Sequence, residues 1–198
     1  MASAGVRRIF GIIAAAMLTA SLAACAHAAP ATAPVERNPI DLRRTTLIVR
    51  DMDASLALYR DALGMTIDYD AQLTSPRLER AGGDGVNRSR LVLLKANDGF
   101  IGMLGLWQFL DGPKAPPPAA KPAFAPGEIV LLFNATDLET RFPMAAAVPG
   151  VVVLSAPAPR RYPGRDGGAP IDVTVSMLRD PDGHIVELNH LTSGPPAR

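Results

Sequence analysis

From Arg43 onward the chain alternates. Thr45, Leu47 and Val49 take one side, and Arg44, Thr46, Ile48 and Arg50 the other, which predicts a half-buried strand. Asp51-Met52-Asp53 follows and supplies a helix N-cap. In the next ten residues, Ala54 to Leu63, Leu56, Tyr59 and Leu63 share one helical face. Gly64 stands where a left-handed residue ends the helix. Met65 to Tyr69 reads as a strand, Leu73 to Asn87 as a loop, Arg90 to Lys95 as a strand, Asn97-Asp98-Gly99 as a turn and Phe100 to Trp107 as a strand. The order is β-α-β-β-β.

Asp111 to Pro126 is dominated by Pro, Ala and Lys and reads as a linker. Then the order repeats. Glu128 to Phe133 is a strand, Asp137 a helix cap, and Leu138 to Ala147 a short helix disturbed by Pro143. Val151 to Leu154 is a strand and Pro157 to Gly168 a long loop. Ile171 to Leu178 and His184 to His190 close the set, joined by Asp180-Pro181-Asp182-Gly183, which is strong turn chemistry. The predicted class is α+β: paired βαβββ modules forming a cup-shaped mixed β-sheet. Module one covers 42–110, the linker 111–126 and module two 127–191, within a domain 41–192 followed by a tail 193–198.

The amino end is different in kind. Arg7 and Arg8 precede an apolar run from Ile9 to Ala24, short for a membrane span and rich in small residues. It ends in Leu22-Ala23-Ala24-Cys25, which resembles the bacterial lipoprotein signal, whose cysteine is acylated and becomes the new N-terminus. Cys25 is the only cysteine in the chain. Residues 1–24 are thus expected to be a signal peptide, Cys25 the lipidation site, and 25–40 an Ala- and Pro-rich tether. The competing reading is ordinary cleavage after Ala26-His27-Ala28, which releases a secreted protein. Ala26 after the cysteine resembles the pattern for outer-membrane sorting. The expected location is the cell envelope, lipid-anchored to the outer membrane and facing the periplasm. A domain without free thiols excludes cysteine nucleophiles, zinc–thiolate sites and iron–sulfur clusters. A formal net charge of +1 and the lack of a basic run argue against nucleic acid.

Two stretches carry a resemblance. Val49-Arg50-Asp51-Met52-Asp53-Ala54-Ser55-Leu56-Ala57-Leu58-Tyr59, with Leu63-Gly64-Met65, resembles the opening of a vicinal-oxygen-chelate domain. Asp180 to Leu188 resembles its final hairpin. This superfamily includes glyoxalase I, extradiol dioxygenases, methylmalonyl-CoA epimerase and bleomycin-resistance proteins. The likeness covers about Leu42 to Leu191 and implies the fold more firmly than any one chemistry.

In metal-dependent members the resemblance implies four ligand positions. The first lies seven residues before the Asp that opens the helix, which is Arg44 here. The second is on the first strand of module two, at Val130, with Glu128 on the same strand face. The third, often an acid, lies on the last strand of module one, which reads Ile101-Gly102-Met103-Leu104-Gly105-Leu106 and offers no ligand. Only the fourth, Glu187, matches. A stable catalytic site for Zn²⁺, Ni²⁺, Fe²⁺ or Mn²⁺ needs about three His or carboxylate ligands. Arg44 sets a permanent positive charge where the cation belongs. The expectation is that its guanidinium replaces the metal, pairs with Glu187 and draws in Glu128.

Candidate pocket residues are therefore Arg44, Glu128, Val130, Met103, Trp107 and Glu187, with no metal and no catalytic residue assigned. The bland alternatives stand beside them: Arg44 as an exposed strand-edge charge, Glu187 as a hydrogen-bonded core acid, Glu128 as a solvated strand start. Trp107 and Phe109 read either as core or as a surface for an aromatic or apolar ligand. His184 and His190 lie across the strand from Glu187 and do not chelate with it. Tyr162 with Arg160, Arg161 and Arg165 sits in the expected loop 157–168, either solvated or covering the cup and drawing in an anion.

Two functional readings follow. In one, a lipid-anchored envelope protein binds a small organic molecule without metal or other cofactor. In the other, ligand positions shift by a residue or two, and the chain is a divalent-metal lyase, isomerase or dioxygenase. A duller third is a structural envelope protein using its sheet for contacts. Besides the ligand, the expected partner is the membrane, through the lipid. Module pairing within one chain is expected, and a homodimer is compatible with it.

Overall fold

A computed structural model of the chain describes residues 39–76, 86–117, 119 and 124–193. The expected signal peptide, Cys25 and all but the last two residues of the expected tether lie outside them. So does the tail beyond Ser193.

Module one starts as its alternation predicts. Strand β1 is Arg44–Ile48, with Leu47 buried between exposed Thr46 and Ile48. Asp51 caps helix α1 (Met52–Leu56), its carboxylate accepting the N–H groups of Asp53 at 3.1 Å and Ala54 at 3.2 Å. The helix widens into a π-helical stretch, Ala57–Ala62, where Leu63 donates to the Leu58 carbonyl at 2.9 Å. Leu58, Tyr59 and Ala62 all turn inward. Gly64 then ends the helix at φ +78°, as expected.

The strands run longer than their side chains suggest. β2 is Thr66–Pro76 and β3 is Val86–Lys95, so both invade the expected loop 73–87. β4 is Met103–Phe109, β5 is Val130–Asn134, and α2 is Leu138–Ala146 around Pro143. The carboxylate of Asp137 does not cap α2; it turns to the Arg141 guanidinium at 2.9 Å. β6 is Val152–Tyr162 and takes the first half of the expected loop 157–168. It lies at a sheet edge, where Pro157 and Pro159 are tolerated, and its register shifts twice before Ala158. β7 is Ile171–Arg179 and β8 is Ile185–Leu191.

The two sheets repeat one topology. Module one orders its strands β1-β4-β3-β2 and module two β5-β8-β7-β6, with the first and last strand of each parallel and the rest antiparallel. A single core lies on the helix-covered sides and joins both modules. It holds Leu47, Met52, Leu56, Tyr59, Leu104 and Leu106 from the first, and Leu131, Leu138, Ala145, Leu178, Val186 and Leu188 from the second. The Tyr59 and Phe133 rings meet at 6.3 Å.

Polar bonds seal that seam. The Tyr59 hydroxyl donates to Asp180 Oδ2 at 2.8 Å. Asp180 Oδ1 accepts the N–H groups of Asp182 at 2.9 Å and His184 at 2.8 Å. His184 Nδ1 lies 3.0 Å from Asp180 Oδ2, a hydrogen bond when that nitrogen carries the proton. One buried carboxylate thus gathers four donors. Arg50 Nε reaches Asp182 Oδ1 at 2.7 Å, and its Nη2 donates to the Pro181 carbonyl at 2.6 Å. On the other flank, Arg141 Nη1 donates to the Ala62 carbonyl at 3.2 Å.

Tyr59→Phe removes one donor from a buried acid and is expected to lower stability by about 1–3 kcal/mol in urea unfolding. Burial, and then the adjacent Asp180 charge, push the Tyr59 phenol well above its ordinary 10.0. Between about pH 10 and that raised value the folded chain keeps a proton that the unfolded chain loses, so stability falls as pH rises. The gap between wild type and Tyr59→Phe therefore narrows above about pH 10 in paired unfolding curves. Arg50→Ala, which takes the guanidinium from Asp182 and leaves it the backbone N–H of residue 50 at 3.2 Å, is expected to cost about 1–3 kcal/mol by the same measurement.

Candidate functional site

Because β1 and β4 run side by side, their outward side chains form rows. Arg44 pairs with Met103, Thr46 with Gly105, and Ile48 with Trp107. β3 extends the rows, placing Leu93 beside Gly105 and Leu91 beside Trp107. The alternate residues Leu47, Leu104, Leu106, Val92 and Leu94 point the other way, into the core. The face turned away from the helix is therefore Arg44, Thr46, Ile48, Met103, Trp107, Leu91 and Leu93, with a glycine at its middle.

Module two uses the same register. Val130 pairs with Ile185, Leu132 with Glu187, and Asn134 with Asn189. Glu187 thus occupies the position that Gly105 holds in module one. It is flanked by Leu132 and Met177, and it accepts a hydrogen bond from Asn189 Nδ2 at 2.8 Å. In module one a side chain has no room at this position. A Cβ on Gly105 would meet Thr46 Oγ1 at 2.7 Å and Thr46 Cβ at 3.2 Å.

Two hollows open on these faces, and Arg44 borders both. One, of about 440 Å³, is lined by Arg44, Thr46, Ile48, Leu73, Leu91 and Trp107. The other, of about 330 Å³, lies where β1 and β4 approach β5; Arg44, Met103 and Leu104 face Val130, Leu131 and Leu132 there. Of the expected pocket residues, Arg44 and Trp107 come together in the first hollow, and Arg44, Met103 and Val130 in the second. Glu187 and Glu128 line neither.

The expected Arg44–Glu187 pair does not form. Among the described residues Arg44 makes no ion pair, and Glu187 has Asn189 as its partner. Glu128 pairs with a different arginine, Arg179, at 3.1 Å, with both side chains nearly buried. Arg179 also donates to the Gly183 carbonyl at 2.7 Å, which ties Glu128 to the β7–β8 turn instead of to Glu187. One of the loop cations is committed as well. Arg161 grips Asp172 with two bonds of 2.7 and 2.9 Å, lowering that carboxyl below its ordinary range. His190 Nδ1 lies 3.0 Å from the Ala135 carbonyl, and His184 belongs to the Asp180 cluster.

The donor set does not fit a divalent cation. The four expected positions hold a guanidinium, a valine, a glycine-centred strand and one carboxylate, and Arg44 would repel the ion. No group of three or more His, Cys, Asp or Glu side chains among the described residues is placed to hold one.

Sequence reasoning missed the polar cluster of Tyr59, Asp180, His184, Arg50 and Asp182. Its signal was present. Asp180 begins a strong turn motif, and an Asx turn there accepts the backbone N–H groups that follow. What pattern could not supply was the long-range partner, Tyr59, 121 residues away.

No model of a known protein family matches the chain, and no curated protein matches it. Solved structures do. A glyoxalase family protein from Bacillus cereus superimposes with a TM-score of 0.58 at 15% identity, over 82% of this chain and all of that one. The trypanothione-dependent glyoxalase I of Leishmania major gives 0.46 at 16% identity, over 76% of this chain and 86% of that one. A glyoxalase/bleomycin resistance protein/dioxygenase family enzyme from Burkholderia phytofirmans gives 0.43 at 15%, over 77% and 99%. The fold is glyoxalase-like: two four-stranded mixed sheets built from βαβββ modules.

Gly105→Ala tests the crowded middle of the module-one face. The added methyl must displace Thr46, so unfolding is expected to show a loss of about 1–3 kcal/mol. Gly105→Ala with Thr46→Ala, which removes both Oγ1 and the methyl of Thr46, is expected to recover part of it.

Proposed function

We propose that this chain is a lipid-anchored envelope protein whose glyoxalase-like domain binds a small organic molecule without metal catalysis. The observation that carries this reading is Arg44. At the position where metal-dependent proteins of the resembled superfamily place a ligand, this chain sets a guanidinium, and no carboxylate has been supplied to neutralise it. The position equivalent to Glu187 in module one is a glycine with its Cβ space filled. Two of the four places are thus chemically closed to a cation, and a third, Val130, has no donor atom.

The hollow beside Arg44 suits binding. Its walls are apolar except for Arg44 and Thr46, and its volume of about 440 Å³ is within the range of small-ligand pockets. The anchor rests on Leu22-Ala23-Ala24-Cys25 after an apolar run, with that cysteine the only one in the chain. Lipid on Cys25 holds the domain at a membrane surface, and the tether gives it reach.

Elemental analysis of the purified full-length protein is expected to find Zn, Ni, Fe and Mn well below one equivalent. Its melting temperature is expected not to move with EDTA or with added Zn²⁺. One equivalent of tightly held metal that raises the melting temperature overturns the reading in favour of a metal-dependent lyase, isomerase or dioxygenase. Mass spectrometry is expected to find the mature N-terminus at an acylated Cys25, and Cys25→Ser to release the protein from the membrane fraction.

A further inference from the structure

We infer that the module-one hollow selects an organic anion: a molecule with a flat apolar body and one carboxylate or similar acid group, the acid held by Arg44 and the body laid against Trp107. This rests on the binding reading above and names its ligand class.

The charge distribution carries the inference. Among the described residues Arg44 is the single charged side chain lining the 440 Å³ hollow, and also the single one lining the 330 Å³ hollow on its other side. Nearly every other arginine in the surrounding sheets has a visible commitment. Arg43 stacks on Phe100 at 3.9 Å, Arg50 holds Asp182, Arg88 holds Asp111 and Arg90 holds Asp70. Arg44 has neither an ion pair nor a hydrogen bond among the described residues. A guanidinium offers five donors in a planar fork that matches a carboxylate. Beside apolar walls, where water competes less, that match is worth more than on an open surface.

The body of the ligand is read from the opposite wall. Trp107 lies two rows from Arg44 on the same face, between Ile48 and Leu91, with the Phe109 ring tilted against it at 5.1 Å between centroids. Its indole N–H is buried and has no hydrogen-bond partner among the described residues. Such a group costs free energy unless something accepts its proton. That N–H points along the ring plane and is buried, so a ligand meets the indole through its face, where a flat ring stacks. Cation at one end and aromatic wall at the other: this recognises an aromatic acid and disfavours cations and neutral aliphatics.

Trp107 is the only tryptophan in the chain, so it reports its own occupancy. The test is a fluorescence titration of the full-length protein with benzoate, 4-nitrobenzoate and 2-naphthoate, each beside its methyl ester. At least one acid is expected to quench Trp107 saturably and to bind about ten- to a hundredfold tighter than its ester, the range of a charge-assisted hydrogen bond. Arg44→Gln is expected to erase that preference, Arg44→Lys to keep part of it, and Arg161→Gln, which alters a cation lining neither hollow, to keep all of it. Circular dichroism confirms that each variant is folded. Acids and esters binding equally, in wild type and Arg44→Gln alike, overturn the anion assignment and leave the binding reading standing. Saturable binding by none of the six compounds overturns both.

Discussion

A single buried carboxylate organises this molecule. Asp180 takes two backbone N–H groups on one oxygen and a phenol and an imidazole nitrogen at the other. Removing such a group from water is costly, and four donors repay the cost only if all arrive together. Two come from the turn itself, so the turn must be formed. One comes from Tyr59 in the other module, so the modules must be docked. The imidazole comes from the residue that opens the return strand. The same acid therefore fixes the β7–β8 turn, orients the helix of module one and registers one βαβββ unit on the other. Arg50 on Asp182 and Arg179 on Glu128 brace the flanks of the same turn.

That docking decides which surfaces are left to bind. With both helices turned toward the shared core, the opposite face of each sheet lies outside that core. On module one this face carries Thr46 against Gly105 at its middle, Arg44 to one side and Ile48 with Trp107 to the other. The glycine matters because it keeps the floor low. With a side chain there, Arg44 and Trp107 would be separated by a ridge. Module two, at the matching place, has Glu187 tied to Asn189. One topology thus yields two faces of opposite character, one holding a free cation and the other a satisfied acid.

Much of the fold was legible in the chain, and for identifiable reasons. Alternation gave β1, Asp51 and Gly64 gave the ends of the first helix, and the repeat of element order gave two equal modules. The ends of β2, β3 and β6 were not legible, because ladder pairing at 73–76, 86–89 and 158–162 is a main-chain matter on which Pro157 and Pro159 mislead. Edge position cancels their penalty, and edge position is a tertiary fact. The candidate site was half legible. Arg44, Met103 and Trp107 were each expected at the pocket, and the register of β1 on β4 sets them on one face of the first sheet. Pairing was beyond reach: Glu128 took Arg179, and Glu187 took a neighbour two residues along its own strand. Choosing which of several arginines an acid meets needs the twist of both sheets, which no periodicity encodes.

The unpaired state of Arg44 is the more informative outcome. Had Arg44 closed on Glu187, the pair would have been an internal substitute for a metal, a structural plug with no use for a ligand. Left open, the guanidinium keeps its full capacity to bind an external anion. It is also cheap to keep, since it stays exposed to water until something displaces that water. The cation that a metal would have supplied is therefore still present on this face, now on a side chain without Lewis acidity. Such a charge can hold and orient an acid, but it cannot lower the pKa of a bound water or polarise a carbonyl as a metal does. On the reading proposed above, changing the cation while keeping the fold moves the chemistry from turnover toward capture.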